Sequence, residues 1–308
     1  MRISSAYAFE SSLSNLQKRQ QVLSESQDQL TSGKRVQKAS DDPVAAAHAE
    51  RAIAVQSRSD AQLRALNSSR GTTELAESAL GSAAELMQQA RELLISAGNG
   101  SYADADRSVI GESIRGLRDD LLAVANRRDG TGRYLFGGQG SAGNPMVDGP
   151  GGVSYNATAG QLLAATGSAS PLSIDGREAW LRAPDPSNPG ATLSVFDVLD
   201  RMVGELMTPG RTAQQVTQTV SDGLGGIDAT AGNLSAWRSR SGETLNRLDS
   251  IAARLSQNKL EAQQDQSNAE DLDMLAAISE FQNRQSGYDA ALKTYSLVQQ
   301  MSLFQYLR

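Results

Sequence analysis

The stretch ISEFQNRQSGYDAALKTYSLVQQMSLFQY, residues 278–306, decides how this chain is read. Ile278, Phe281, Gln285, Tyr288, Leu292, Tyr295, Gln299, Ser302 and Tyr306 recur at alternating three- and four-residue steps. That spacing is the heptad seam of a helix that packs on another helix. Leu303 and Phe304 fall beside the seam, and Leu307 widens it beyond what one narrow partner helix covers. A matching seam lies near the other end: Ala6, Phe9, Leu13, Leu16, Gln20, Leu23, Gln27 and Leu30. Both are interrupted by glutamines, which are either imperfections or polar positions that fix register. The simplest use of two such seams is to pair them.

Between the ends the pattern stays helical for long stretches. Gly33 suits a left-handed helix C-terminus. Asp42 suits an N-cap, with Pro43 at the first helical position, so the string TSGKRVQKASDDP closes one helix and opens a second. The second helix extends to about residue 97, with a seam at Thr73, Ala76, Leu80, Ala83, Met87, Ala90 and Leu94. A third extends to about residue 128, and RYLF (133–136) reads as a short strand or hairpin arm. Residues 141–192 hold six of the eight prolines and only six charged residues. There GGVSYNATAG and PLSIDGREAWL suggest short strands in a small β-rich insert; a disordered insert is the competing reading. Helical pattern returns at 194–207 and at 212–240, where Gly223, Gly225 and Gly226 predict a kink or break. From Glu243 the pattern is helical to the end.

The expected fold is therefore mainly α: an elongated, discontinuous helical bundle with paired N- and C-terminal coiled-coil helices and a small β-rich inserted domain. Its expected domains are a terminal coiled-coil assembly domain (1–40 with 275–308), a helical bundle (41–140 with 193–274) and an inserted surface domain (141–192). No seam residue falls within the insert, so it is expected to be replaceable.

The chemistry is sparse. The chain has 308 residues, a net charge of −6, no cysteine and one histidine. The absence of cysteine removes disulfides, thiol nucleophiles and Cys-ligated metals. His48 lies in AAAHAERAI without a partner pattern and reads as a solvated helix residue. Adjacent acids such as Asp41–Asp42 and Asp119–Asp120 do not face one another on a helix. No catalytic, metal or cofactor residues are expected. No basic cluster points to nucleic acid, no apolar run is long enough for a membrane span, and no cleavable signal peptide is expected.

Three strings together resemble the flagellin superfamily and, within it, its hook–filament junction branch. They are RISSAYAFESSLSNLQKRQQVLSESQDQLTSGKRVQKASDDPVAAAHAERAI (2–53), GTGRYLFGG (130–138) and the segment from LDMLAAISEF to SLFQYLR (272–308). Some members of the superfamily carry an HExxH zinc-protease helix; here HAER lacks both the adjacent Glu and the second His. Flagellin itself is the alternative, and a secreted coiled-coil adhesin a more distant one. Flagellins tend to place a non-proline residue and an Ala-Gly pair after the acidic pair, where this chain has Pro43-Val44-Ala45-Ala46; Gln305 stands where the junction branch is expected to have Asp. The resemblance implies an extracellular subunit of the bacterial flagellum, exported unfolded by the flagellar type III apparatus with an export chaperone. It implies a ring of like subunits, with the first hook-associated protein on the hook side and flagellin on the filament side. The expected assembly interface is Phe9, Leu13, Leu16, Leu23, Leu30, Ile278, Phe281, Tyr288, Leu292, Tyr295, Leu303, Phe304 and Tyr306. The loop-to-helix motif is Gly33, Asp41, Asp42 and Pro43.

Overall fold

The computed structural model describes residues 2–164 and 170–306, with side-chain surroundings for residue 7, 10–164 and 170–297. Six α-helices dominate: α1 Arg2–Ser32, α2 Pro43–Ala97, α3 Asp104–Ala125, α4 Val195–Leu206, α5 Ala213–Glu270 and α6 Met274–Tyr306. Strands β1 Met146–Gly149 and β2 Gly152–Tyr155 pair antiparallel, as do β3 Ala183–Pro184 and β4 Thr192–Leu193. The chain divides into two compact units, residues 1–60 with 256–308 and residues 61–255. Helices α2 and α5 contribute to both.

In the 61–255 unit the α2 seam forms the core. Its seven positions from Thr73 to Leu94 are at most 5% exposed. Those from Ala76 to Leu94 pack with Ile114 and Leu121 of α3, Phe196 and Leu199 of α4, and Ile227 and Leu234 of α5. Each large side chain buried this way stabilises by roughly 1.5–3 kcal/mol. Helix α4 starts where Ser194 Oγ accepts the Asp197 N–H at 3.3 Å, an N-cap.

The insert has no separate core. Met146, Val153, Ile174 and Trp180 belong to the same buried cluster as the helices. Trp180 meets Phe136 edge-on at 5.4 Å and lies stacked near Phe196 at 6.1 Å. Buried Arg118 of α3 grips Asp148 of β1 with two nitrogens at 2.5 and 2.8 Å, and reaches Asp200 of α4 at 3.2 Å. Residues 141–192 hold no seam residue, yet they contribute to the core of the helices, and that counts against the expectation that the insert is replaceable.

Other local expectations are corrected. PLSIDGREAWL is not a strand at its end; Arg177–Leu181 is a π-helical turn. Adjacent strand residues face opposite ways, whereas here Ala179 and Trp180 are both fully buried. RYLF is the second arm of a tight hairpin, as one of the two readings had it: Tyr134 bridges Arg128, the Leu135 N–H donates to the Arg127 carbonyl at 3.0 Å, and the turn closes on the Asp129 carboxylate, which accepts the Thr131 and Arg133 N–H groups at 2.8 and 2.9 Å. The third helix ends at Ala125. The glycines at 223–226 do not break α5, which is continuous for 58 residues. A β-carbon at Gly223 would meet Leu94 Cδ2 at 2.7 Å, so glycine there lets helices approach closely. The helical run after Glu243 breaks instead at residues 271–273.

Candidate assembly interface

In the unit formed by 1–60 and 256–308, α1 and α6 pack together. The middle of the pair is polar. Arg284 donates to Ser26 Oγ and to the Val22 carbonyl, the latter at 3.4 Å. Gly287 makes room for Arg19, whose Nη1 would lie 3.0 Å from a β-carbon there. Around this centre Leu16, Leu23 and Leu30 of α1 and Phe281, Tyr288 and Tyr295 of α6 are half-buried.

The other seam positions among the described residues lie outward. Leu13, Ile278 and Leu292 are 40%, 45% and 41% exposed. Tyr7, Leu275 and Leu297 are more exposed still. Gln20, Gln27 and Gln285 are also exposed. Among the described residues, one intramolecular pairing thus covers only part of the apolar surface that the two helices offer. Phe9, Leu303, Phe304 and Tyr306 sit on α1 and α6, but their side chains lie outside the described residues.

The breaks in the two arms adjoin. Gly33 takes a φ of +70° and its N–H returns to the Gln29 carbonyl at 2.9 Å, ending α1 as expected. Lys34 and Asp271 form an antiparallel bridge, and the Leu272 N–H donates to the Gly33 carbonyl at 3.0 Å. Lys34 pairs with Glu270 at 2.5 Å, and Arg35 donates to the Ala269 carbonyl at 3.0 Å and to Asp42 at 3.2 Å. Both arms then restart on an aspartate. Asp42 Oδ1 accepts from Val44 and Ala45 at 3.2 and 3.0 Å, and Asp273 Oδ1 from Leu275 and Ala276 at 3.1 Å each. Such caps are worth about 1 kcal/mol.

The electrostatics fit this structural role. The Ala45 N–H, then Arg35, hold the Asp42 carboxyl below its ordinary range. The Lys38 and Gln37 N–H groups do the same for Asp41. Both stay charged at neutral pH and tie the loop to the helix start. His48 is exposed on α2. Among the described residues no cluster of His, Cys, Asp or Glu is arranged to hold a metal, and no helix is long and apolar enough to cross a membrane.

The sequence reading missed the Ser26–Arg284 tie and the second break. The break carries a local signal, Asp273 before the apolar run MLAAI, which is the N-cap pattern already read at Asp42. The tie has none, since its partners are 258 positions apart.

Comparison with known proteins gives a consistent result. The bacterial flagellin N-terminal helical region matches residues 3–141, and the corresponding C-terminal helical region matches residues 224–307. Flagellar hook-associated protein 3 of Salmonella typhimurium is 28% identical over 99% of both chains. Flagellins of Vibrio parahaemolyticus and Listeria monocytogenes match over smaller shares of this chain, 38% and 86%. The fold is shared with FlgL of Xanthomonas campestris (TM-score 0.61, 20% identity, covering 71% of this chain and 99% of that one). It is shared also with the flagellar junction protein FlgL of Legionella pneumophila (TM-score 0.54, 17% identity, 62% and 95% covered).

Proposed function

The chain belongs to the flagellin superfamily, and we propose that within it this subunit joins the flagellar hook to the filament. It is a structural component of the bacterial flagellum. The observation that carries the reading is the end-to-end match with a hook-associated protein 3, 99% of each chain, insert included. On this reading the chain performs no catalysis. It forms a ring of like subunits, meets the first hook-associated protein on the hook side and flagellin on the filament side, and leaves the cell unfolded through the flagellar type III apparatus with a chaperone. The absence of cysteine suits such a passage.

The α1–α6 pair is the assembly element, and its uncovered apolar positions, Leu13, Ile278 and Leu292, meet neighbouring subunits. Leu303, Phe304 and Tyr306 extend the same surface. The Gly33–Pro43 loop, held against residues 269–272, is the joint from which the pair projects.

The second reading, flagellin, draws on the Listeria match over 86% of the chain. A single cysteine separates the two. Ser187→Cys in the exposed insert, labelled with a maleimide dye on live cells, gives one focus at the hook–filament boundary if the chain is the junction subunit. Label along the whole filament assigns it as flagellin.

A further inference from the structure

We propose that Asn99 is a built-in deamidation site, at which the chain converts its own amide to aspartate and isoaspartate without an enzyme. The proposal is independent of the assembly reading. Asn99-Gly100 is the chain's only Asn-Gly pair, in the exposed turn between α2 and α3. Gly100 has open space around it, with nothing within 4 Å of where a β-carbon would stand. Its N–H makes no hydrogen bond among the described residues, so the nitrogen that must attack is accessible.

The surrounding bonds favour both halves of the reaction. The side-chain Oδ1 of Asn99 accepts from the Ser101 N–H at 3.0 Å and from Ser101 Oγ at 2.9 Å. These two donors polarise the amide and stand where negative charge develops when its carbon is attacked. The backbone carbonyl of Asn99 accepts from the Tyr102 N–H at 3.1 Å and from Arg107 Nη2 at 3.3 Å. That carbonyl shares its peptide group with the Gly100 nitrogen. A donor and a cation on it stabilise the deprotonated amide and make the Gly100 N–H more acidic. Arg107 is held in position by the Ala97 carbonyl, to which its Nε donates at 3.3 Å.

In the step, solvent hydroxide removes the Gly100 N–H proton. The nitrogen bonds to Asn99 Cγ, and the carbonyl electron pair moves onto Oδ1 between the two Ser101 donors. When the pair returns, the Cγ–Nδ2 bond breaks and the nitrogen takes a proton from water and leaves as ammonia. Water then opens the cyclic imide at either carbonyl. One route gives aspartate; the other gives isoaspartate, which adds a carbon to the main chain. Water is the only co-reactant.

The test follows the full-length protein at mildly alkaline pH by peptide mapping and ammonia release, beside a synthetic peptide of residues 95–107. Asn99 is expected to convert before any other asparagine, and several-fold faster than in the peptide. Ser101→Ala and Arg107→Gln, each with an unchanged circular dichroism spectrum, are each expected to slow conversion several-fold. Slower conversion in the folded protein than in the peptide overturns the proposal, as does a parental rate in either variant. If Arg107→Gln alters the spectrum, the Ser101→Ala rate decides.

Discussion

Val198 Cγ1 would lie 2.8 Å from a β-carbon placed on Gly226, so α4 and α5 touch through a missing side chain. Gly226→Ala is expected to lose about 1–3 kcal/mol by overpacking, against about 1 kcal/mol gained in helix propensity. Gly225, one residue away, is exposed with nothing within 4 Å. Gly225→Ala is expected to stabilise by up to about 1 kcal/mol. Denaturant unfolding of the two variants checks the opposite signs.

Trp180 anchors the insert to the bundle. Trp180→Ala is expected to cost about 3–5 kcal/mol. Replacing residues 141–191 by a short Gly-Ser linker uncovers Phe136 and Phe196 and is expected to lower the melting temperature markedly. An unchanged melting temperature after the replacement would show that the helices close without the insert.

The Arg118 hydrogen bonds hold the Asp148 carboxyl below its ordinary value of 3.8. A carboxyl whose folded value is depressed contributes its stability above the unfolded value and loses it as pH falls through the folded one. Melting temperature is therefore expected to fall as pH drops below 3.8, and Arg118→Met to flatten that fall while lowering stability near neutral pH. The neutral-pH loss is expected to be smaller than the roughly 3–5 kcal/mol of a fully buried pair, because Asp148 and Asp200 are 47% and 43% exposed and can rehydrate.

The terminal pair separates packing from assembly. Ile278→Ser and Leu292→Ser act at exposed positions and are expected to change monomer stability by no more than about 0.5 kcal/mol. On the junction reading they abolish incorporation at the hook, so that flagellin is shed into the medium. Tyr288→Ala, at a half-buried position, is expected to lower the helix content of the monomer. Normal filaments on cells carrying both serine substitutions would remove these residues from the interface.

What the sequence disclosed was local in origin. The Thr73–Leu94 seam follows from the period of one helix, and Gly33, Asp42 and Pro43 act within a turn of where they sit. The period of the terminal seam was legible in the same way. Its division into covered and uncovered positions was not, because that depends on how Arg284 meets Ser26. Trp180 was hidden for a related reason: nothing near it in the chain names Phe136 and Phe196 as its neighbours. Gly223 and Gly226 of α5 were misread because their cost to an isolated helix is outweighed by the close approach of α4.

The ties within the terminal unit join residues far apart in the chain: Gln56 to Gln266, 210 positions apart, and Arg35 to the Ala269 carbonyl, 234 apart. Closing such loops costs entropy that grows with their length. A chain emerging from a narrow channel, whichever end leads, presents one helix of the α1–α6 pair long before the other. Until the last segment is out, the leading helix lacks its intramolecular partner, and short of tertiary contacts a helix is marginal in water. On the proposed export route the unit is thus the last to form, and its geometry would act as a timer: a half-delivered chain has no finished surface with which to dock.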